Sequence, residues 1–120
     1  MKIFILEDDP SRMVIFRKML VDHDITHTDQ ARKAAFTLKS YKYDFIFLDH
    51  DLGGEQMVDS SEENTGYTAA KAIPGSINSN TPIVIHSYNP SGAANMAALL
   101  PNAKRVPFGL FDASILKENP

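Results

Sequence analysis

The chain has 120 residues, 43% of them hydrophobic and 22% charged, which suits one domain around one core. Twelve Lys and Arg against fifteen Asp and Glu give a net charge of −3, so no basic field exists to hold DNA or bulk nucleic acid, although a small or terminal phosphate stays within reach. The lack of cysteine excludes disulfide, thiolate and Cys-ligated zinc chemistry. No apolar run approaches the ~20 residues of a membrane span, and Met1-Lys2 leads into a strand pattern rather than a signal peptide, so a cytoplasmic location is expected.

Ile3-Phe4-Ile5-Leu6 reads as a buried strand that ends in Glu7-Asp8-Asp9. Pro10 opens a helix, where its missing N–H costs nothing, and Met13, Val14, Phe16, Met19 and Leu20 recur at helical spacing up to Val21. Arg12 falls in its first turn, and Glu7 is expected to point away from the strand edge. Asp24–Thr28 is a second strand, Asp29 an N-cap, and residues 30–40 a second helix. His23 and His27 read as surface residues.

Phe45–Leu48 is an unbroken apolar run, the mark of a strand buried on both faces, and it delivers Asp49-His50-Asp51 to its end before Leu52-Gly53-Gly54. Residues 54–64 are polar, acidic and aperiodic, an inserted loop long enough to suggest a role. A third helix runs from Thr65-Gly66 to about Ile73 and is stopped by Pro74-Gly75. Pro82–His86 is a fourth strand, ending in His86-Ser87-Tyr88-Asn89. Ser91–Leu100 is a fourth helix behind Pro90, with Asn89 as N-cap and a free N-terminus suited to an anion. Lys104–Phe108 is a fifth strand and Ala113–Lys117 a short last helix.

Alternation of this kind implies an α/β fold, a parallel sheet with helices on both faces, and ligands bind such sheets outside the carboxyl ends of the strands. Order 2-1-3-4-5 is expected, with the first and third strands flanking the point where the order reverses.

Leu6-Glu7-Asp8-Asp9, Leu48-Asp49, Pro82–Ser87 and Pro107-Phe108 together resemble the receiver domain of response regulators, over essentially the whole chain. That resemblance implies a flavodoxin-like three-layer fold, Asp8, Asp9 and Asp49 as holders of Mg²⁺ or Mn²⁺, Asp49 as phosphoacceptor and Ser87 as a phosphoryl contact. It also implies a Lys before the proline of the fifth strand; Val106 stands there instead, with Lys104 two residues back. Leu-Asp-His-Asp-Leu-Gly-Gly and His-Ser-Tyr-Asn-Pro are more specific. They resemble the cyclic-phosphate-processing receiver family, which implies action on RNA 2′,3′-cyclic phosphates or related ends.

Asp8, Asp9 and Asp49 brought together need a cation or a proton, and hard carboxylate oxygens suit Mg²⁺ or Mn²⁺. The competing reading is an acid pair capping the first helix. Opening a cyclic phosphate needs a base and an acid, for which His50 and His86 are candidates beside Asp49 and Asp51. His86, at the end of an apolar strand, reads equally as a hydrogen-bonded core residue. Arg12, Ser87, Asn89 and Lys104 are candidate phosphate ligands, Arg12 because a guanidinium grips phosphate oxygens in pairs. Three functions stay open: a phosphodiester hydrolase, a phosphoacceptor switching a protein partner, and a binding module without turnover.

Overall fold

A computed structural model describes residues 1–117. Strands β1 (Lys2–Leu6), β2 (Asp24–Thr28), β3 (Phe45–Leu48), β4 (Ile83–Ile85) and β5 (Ala103–Arg105) alternate with helices α1 (Pro10–Met19), α2 (Ala31–Ser40), α3 (Gly66–Lys71) and α4 (Pro90–Leu99). A 3-10 turn, Ala113–Lys117, follows. The strands pair in parallel in the order β2-β1-β3-β4-β5, so the expected α/β fold and strand order are found.

Strand alternation sorts the core into two layers. Phe4, Leu6, Ile46, Leu48, Ile83 and Ile85 face one way and pack under Ala34 and Leu38 of α2, Ala69 and Ala70 of α3, and Ala93 and Met96 of α4. Small residues on those helices let the backbones approach the sheet. Ile3, Ile5, Phe45, Phe47 and Val84 face the other way, under Met13 and Phe16 of α1 and Ile115 and Leu116 of the 3-10 turn. Phe16 is the hub of this second layer, edge-on to Phe47 at 5.2 Å and tilted against Phe108 at 5.3 Å.

The fifth strand is shorter than the expected Lys104–Phe108. Pro107 has no N–H to give the ladder, yet Val106 N and Phe108 N still donate to Ile85 O and His86 O, each at 3.0 Å. The chain therefore stays beside β4 up to the sheet edge.

One buried amide holds the end of the molecule opposite that edge. Asn78 accepts from Tyr43 N at 2.9 Å and donates to Leu38 O at 2.6 Å and Tyr41 O at 2.7 Å. Asn78→Ala strands those three buried groups. The expected cost is about 3 kcal/mol, seen as a lower denaturant midpoint with an unchanged slope.

Candidate functional site

The site follows from strand register. Leu6 pairs with Leu48, and Leu48 with Ile85. One residue further along, Glu7, Asp49 and His86 fall in a single row, and alternation turns all three to the α1 side. Glu7 and His86 are fully buried and Asp49 is 3% exposed. Their nearest ligand atoms lie within 4.8 Å of one another. Glu7 thus points into the site rather than away from it, because it continues the alternation of β1.

Glu7 Oε1 accepts from His86 Nε2 at 3.0 Å, while Glu7 Oε2 accepts from the N–H groups of Asp8 and Asp9 at 3.0 and 3.1 Å. Burial pushes Glu7 up, but the bond and charge of His86, the Asp9 N–H and the Arg12 charge outweigh it and bring its pKa to about 2. Asp49 goes the other way: burial first, then the negative charge of Glu7, lift its pKa to about 8 against the pull of the His50 N–H and Arg12. Arg12 Nη1 stands 3.6 Å from Glu7 Oε1 and 3.7 Å from Asp49 Oδ2, beyond hydrogen-bond length, so it balances charge without bonding either carboxylate. The guanidinium also lies over the rings of Tyr88 and Phe108, at 5.5 and 5.4 Å.

These two shifts have opposite consequences for stability. Glu7, ordinarily at 4.5, contributes stability that is present above that pH and lost as pH falls toward 2. Asp49 binds its proton more tightly folded than unfolded, so stability declines as pH rises from 3.8 to about 8. In chelator-treated protein, denaturant unfolding is expected to give lower stability at about pH 8 than at about pH 5. Mn²⁺ or Mg²⁺ should recover more at the higher pH, where the proton on Asp49 competes less.

The next row, Asp8, His50 and Ser87, turns to the opposite side. His50 is fully buried under α4, where Gly92 makes room for it: a Cβ at that position would sit 2.4 Å from His50 Cγ. Its Nδ1 lies 2.8 Å from Asp51 Oδ1 and its Nε2 2.8 Å from Ser60 Oγ. Burial raises Asp51, but bonds from His50, Asn89, Met57 N and Val58 N prevail and hold its carboxyl below the usual range. Burial and the Glu7 charge raise Asp8, in part against a bond from Gly54 N at 2.7 Å.

Asp8, Asp9, Arg12, Asp49, Asp51, Ser87 and Tyr88 line one cleft of about 390 Å³, closed on one side by Gly54–Met57 of the acidic loop. The remaining candidates lie elsewhere. Both imidazoles are fully buried behind the cleft wall and outside its lining, His86 against Glu7 and His50 beneath α4. Asn89 spends its amide on Asp51 and Val58 O, each at 3.0 Å, and its carbonyl on Gly92 N at 2.9 Å, so it braces the site rather than offering a phosphate donor. Lys104 pairs in register with Val84, two residues short of the edge, and is outside the lining. Asp9 accepts from Ser11 N and Arg12 N as the N-cap of α1. His27 is half-buried, its Nε2 2.8 Å from Glu7 O, rather than a free surface residue.

Asp8, Asp9 and Asp49 bring hard oxygens to the cleft, and Glu7 and His86 adjoin Asp49; this donor set fits a divalent ion, whose charge would offset that of neighbouring carboxylates.

The sequence profile of the cyclic-phosphate processing receiver domain matches residues 1–102. The chain belongs to that family. Solved structures similar to this family member include receiver domains. That of a sensor histidine kinase from Pseudomonas aeruginosa, with a magnesium ion coordinated in its active-site cleft, has a TM-score of 0.72 at 20% identity, covering 98% of this chain and 91% of its own. A CheY-like receiver domain from Methanospirillum hungatei gives a TM-score of 0.72 at 11% identity, covering 98% of this chain and 88% of its own. A response regulator of Thermotoga maritima in complex with Mg²⁺ and BeF gives 0.69 at 18% identity, with 98% and 93% covered. At such identities the likeness establishes the fold. No curated protein matches by sequence. Among the described residues no helix is long and apolar enough to cross a membrane.

Proposed function

We propose that this family member opens 2′,3′-cyclic phosphodiesters, at RNA ends or on small nucleotides, in the cleft between Asp8, Arg12, Asp49, Asp51 and Ser87. The family match carries the substrate reading, and the cleft supports it: two carboxyl groups on one cleft are pushed apart, Asp51 held below the usual carboxylate range and Asp49 raised to about 8. Such a separation assigns a base and an acid at neutral pH. Arg12 takes a phosphate oxygen, and the Ser87 hydroxyl donates to another. Asp51 removes the proton from the attacking water, with His50 behind it stabilising the carboxylate. Asp49 gives its proton to the leaving 2′- or 3′-oxygen. Asp8, Asp9 and Asp49 would hold Mg²⁺ or Mn²⁺, and such an ion would supply positive charge beside the phosphate in place of the Asp49 proton. His86 acts at one remove by holding Glu7 ionised.

A phosphoacceptor role for Asp49 is disfavoured by Val106, half-buried against the Phe16 layer where the receiver resemblance implies a lysine. The remaining alternative is a binding module without turnover.

The test is hydrolysis of 2′,3′-cyclic nucleotides and of RNA oligomers with cyclic ends, in chelator and with Mg²⁺ or Mn²⁺. In chelator, turnover is expected to fall as pH rises past about 8, when Asp49 ionises. Asp51→Asn should lower it by about 10²–10⁴-fold, the usual range for a lost acid–base group. Tight binding with no turnover on any of these substrates would favour the binding module.

A further inference from the structure

The acidic loop is more than a wall of the cleft. Met57 N and Val58 N donate to Asp51 at 2.6 and 3.3 Å, Val58 O accepts from Asn89, and Ser60 Oγ lies 2.8 Å from His50 Nε2 and 2.9 Å from Asn95 Nδ2. Three nearby residues of one loop therefore dock on a single Asp–His pair. Met57 is held at φ +53, in the left-handed region, while its N–H points at Asp51.

We infer that Ser60 is a positioning residue that anchors the His50 ring at Nε2 and, through it, the orientation of Asp51. The direction of every bond in the chain follows from what each group can do. An ionised carboxylate only accepts, so His50 Nδ1 carries a hydrogen toward Asp51. The Asn95 amide can only donate to Ser60, so among the described residues His50 Nε2 is the acceptor that remains for the hydroxyl hydrogen, and Ser60 donates to it. The Ser60 oxygen accepts in turn from the Asn95 amide on α4. Asn95, Ser60 and His50 thus form a run of donors that ends on the accepting Asp51 carboxylate in the cleft, each bond polarising the next. The Asn89 amide also lies 3.4 Å from His50 Nδ1, but its hydrogens go to the nearer Asp51 Oδ1 and Val58 O. The ring cannot swing away from this arrangement, because Gly92 of α4 is packed against it.

This inference rests on Asp51 being the base of the proposed reaction, with the acidic loop setting it.

The test is ¹⁵N NMR of the His50 ring in the substrate-free protein. The wild type is expected to show a single tautomer with hydrogen on Nδ1 and none on Nε2. Ser60→Ala should shift the Nε2 resonance as that nitrogen loses its donor, and kcat should fall while KM for a 2′,3′-cyclic nucleotide holds. Ser60→Thr, which keeps the hydroxyl, should restore both. A wild-type ring with hydrogen on Nε2, or an Nε2 resonance and kcat unchanged in Ser60→Ala, would overturn the inference. The tautomer is read without substrate, so this failure is distinct from failure of the cyclic-phosphate reading, which shows as absent turnover in a protein whose tautomer is as expected.

Discussion

Asp49→Asn is expected to move activity and stability in opposite directions. An amide has no acidic proton for the leaving oxygen, so turnover should drop by about 10²–10⁴-fold. The same change removes one of two adjacent buried carboxyl groups. Burial and the Glu7 charge lift the Asp49 pKa to about 8, so stability of the wild type falls as pH rises from 3.8 toward that value. The variant escapes that loss, so at about pH 8 in chelator its melting temperature should exceed the wild type's by several degrees. Near pH 4, where Asp49 is protonated in the folded wild type, the two proteins should differ little. Thermal unfolding monitored by circular dichroism at both pH values checks this, alongside initial rates. A variant that is both inactive and less stable at pH 8 would show that Asp49 holds the fold rather than a proton.

The second large effect lies in the backbone. α3 begins with Gly66 pressed onto the end of β3: its N–H donates to His50 O at 2.8 Å, and an added Cβ would fall 1.8 Å from Asp49 O. That neighbour is main chain at the centre of the sheet, so it cannot turn aside as a side-chain tip would. Gly66→Ala must push α3 off the sheet or bend β3 at Asp49. The expected cost is about 3 kcal/mol or more, at the upper end of overpacking penalties. Because any relief shifts Asp49 and His50 themselves, residual folded protein should be poorly active. Denaturant titration checks the first part and a rate per folded molecule the second. Gly75→Ala is the control: no atom lies within 4 Å of its added Cβ, and its φ of +75 should produce a smaller loss from strain alone.

The strands, their order and the cleft acids were legible because apolar runs and strand ends are local features. Glu7 was not, because a charged residue at a strand end is ordinarily solvated. Only the register shows that it shares a row with Asp49 and His86, and register is a property of paired strands rather than of one. The same alternation explains the imidazoles. His50 follows Asp49 by one residue and so faces α4 instead of α1, while His86 stays in the row of Asp49 but beneath it, its ring 5.3 Å from Phe16. Asp9 had a local clue: Pro10 at the first helical position makes Asp9 the N-cap, whose carboxylate is already occupied by N–H groups. Ser60 had none, since a serine in an aperiodic acidic loop gives no sign of the imidazole it meets ten residues back.

The most direct test of a cyclic-phosphate hydrolase in this cleft is ³¹P NMR of a 2′,3′-cyclic nucleotide mixed with stoichiometric protein at neutral pH. Wild type is expected to convert the cyclic diester signal to that of a single monoester isomer, since a fixed acid protonates one leaving oxygen. Arg12→Ala and Asp51→Asn should each leave the cyclic signal in place over the same period. A wild-type sample whose cyclic signal persists as long as in buffer, or one that Arg12→Ala and Asp51→Asn consume equally fast, would contradict the assignment of this cleft.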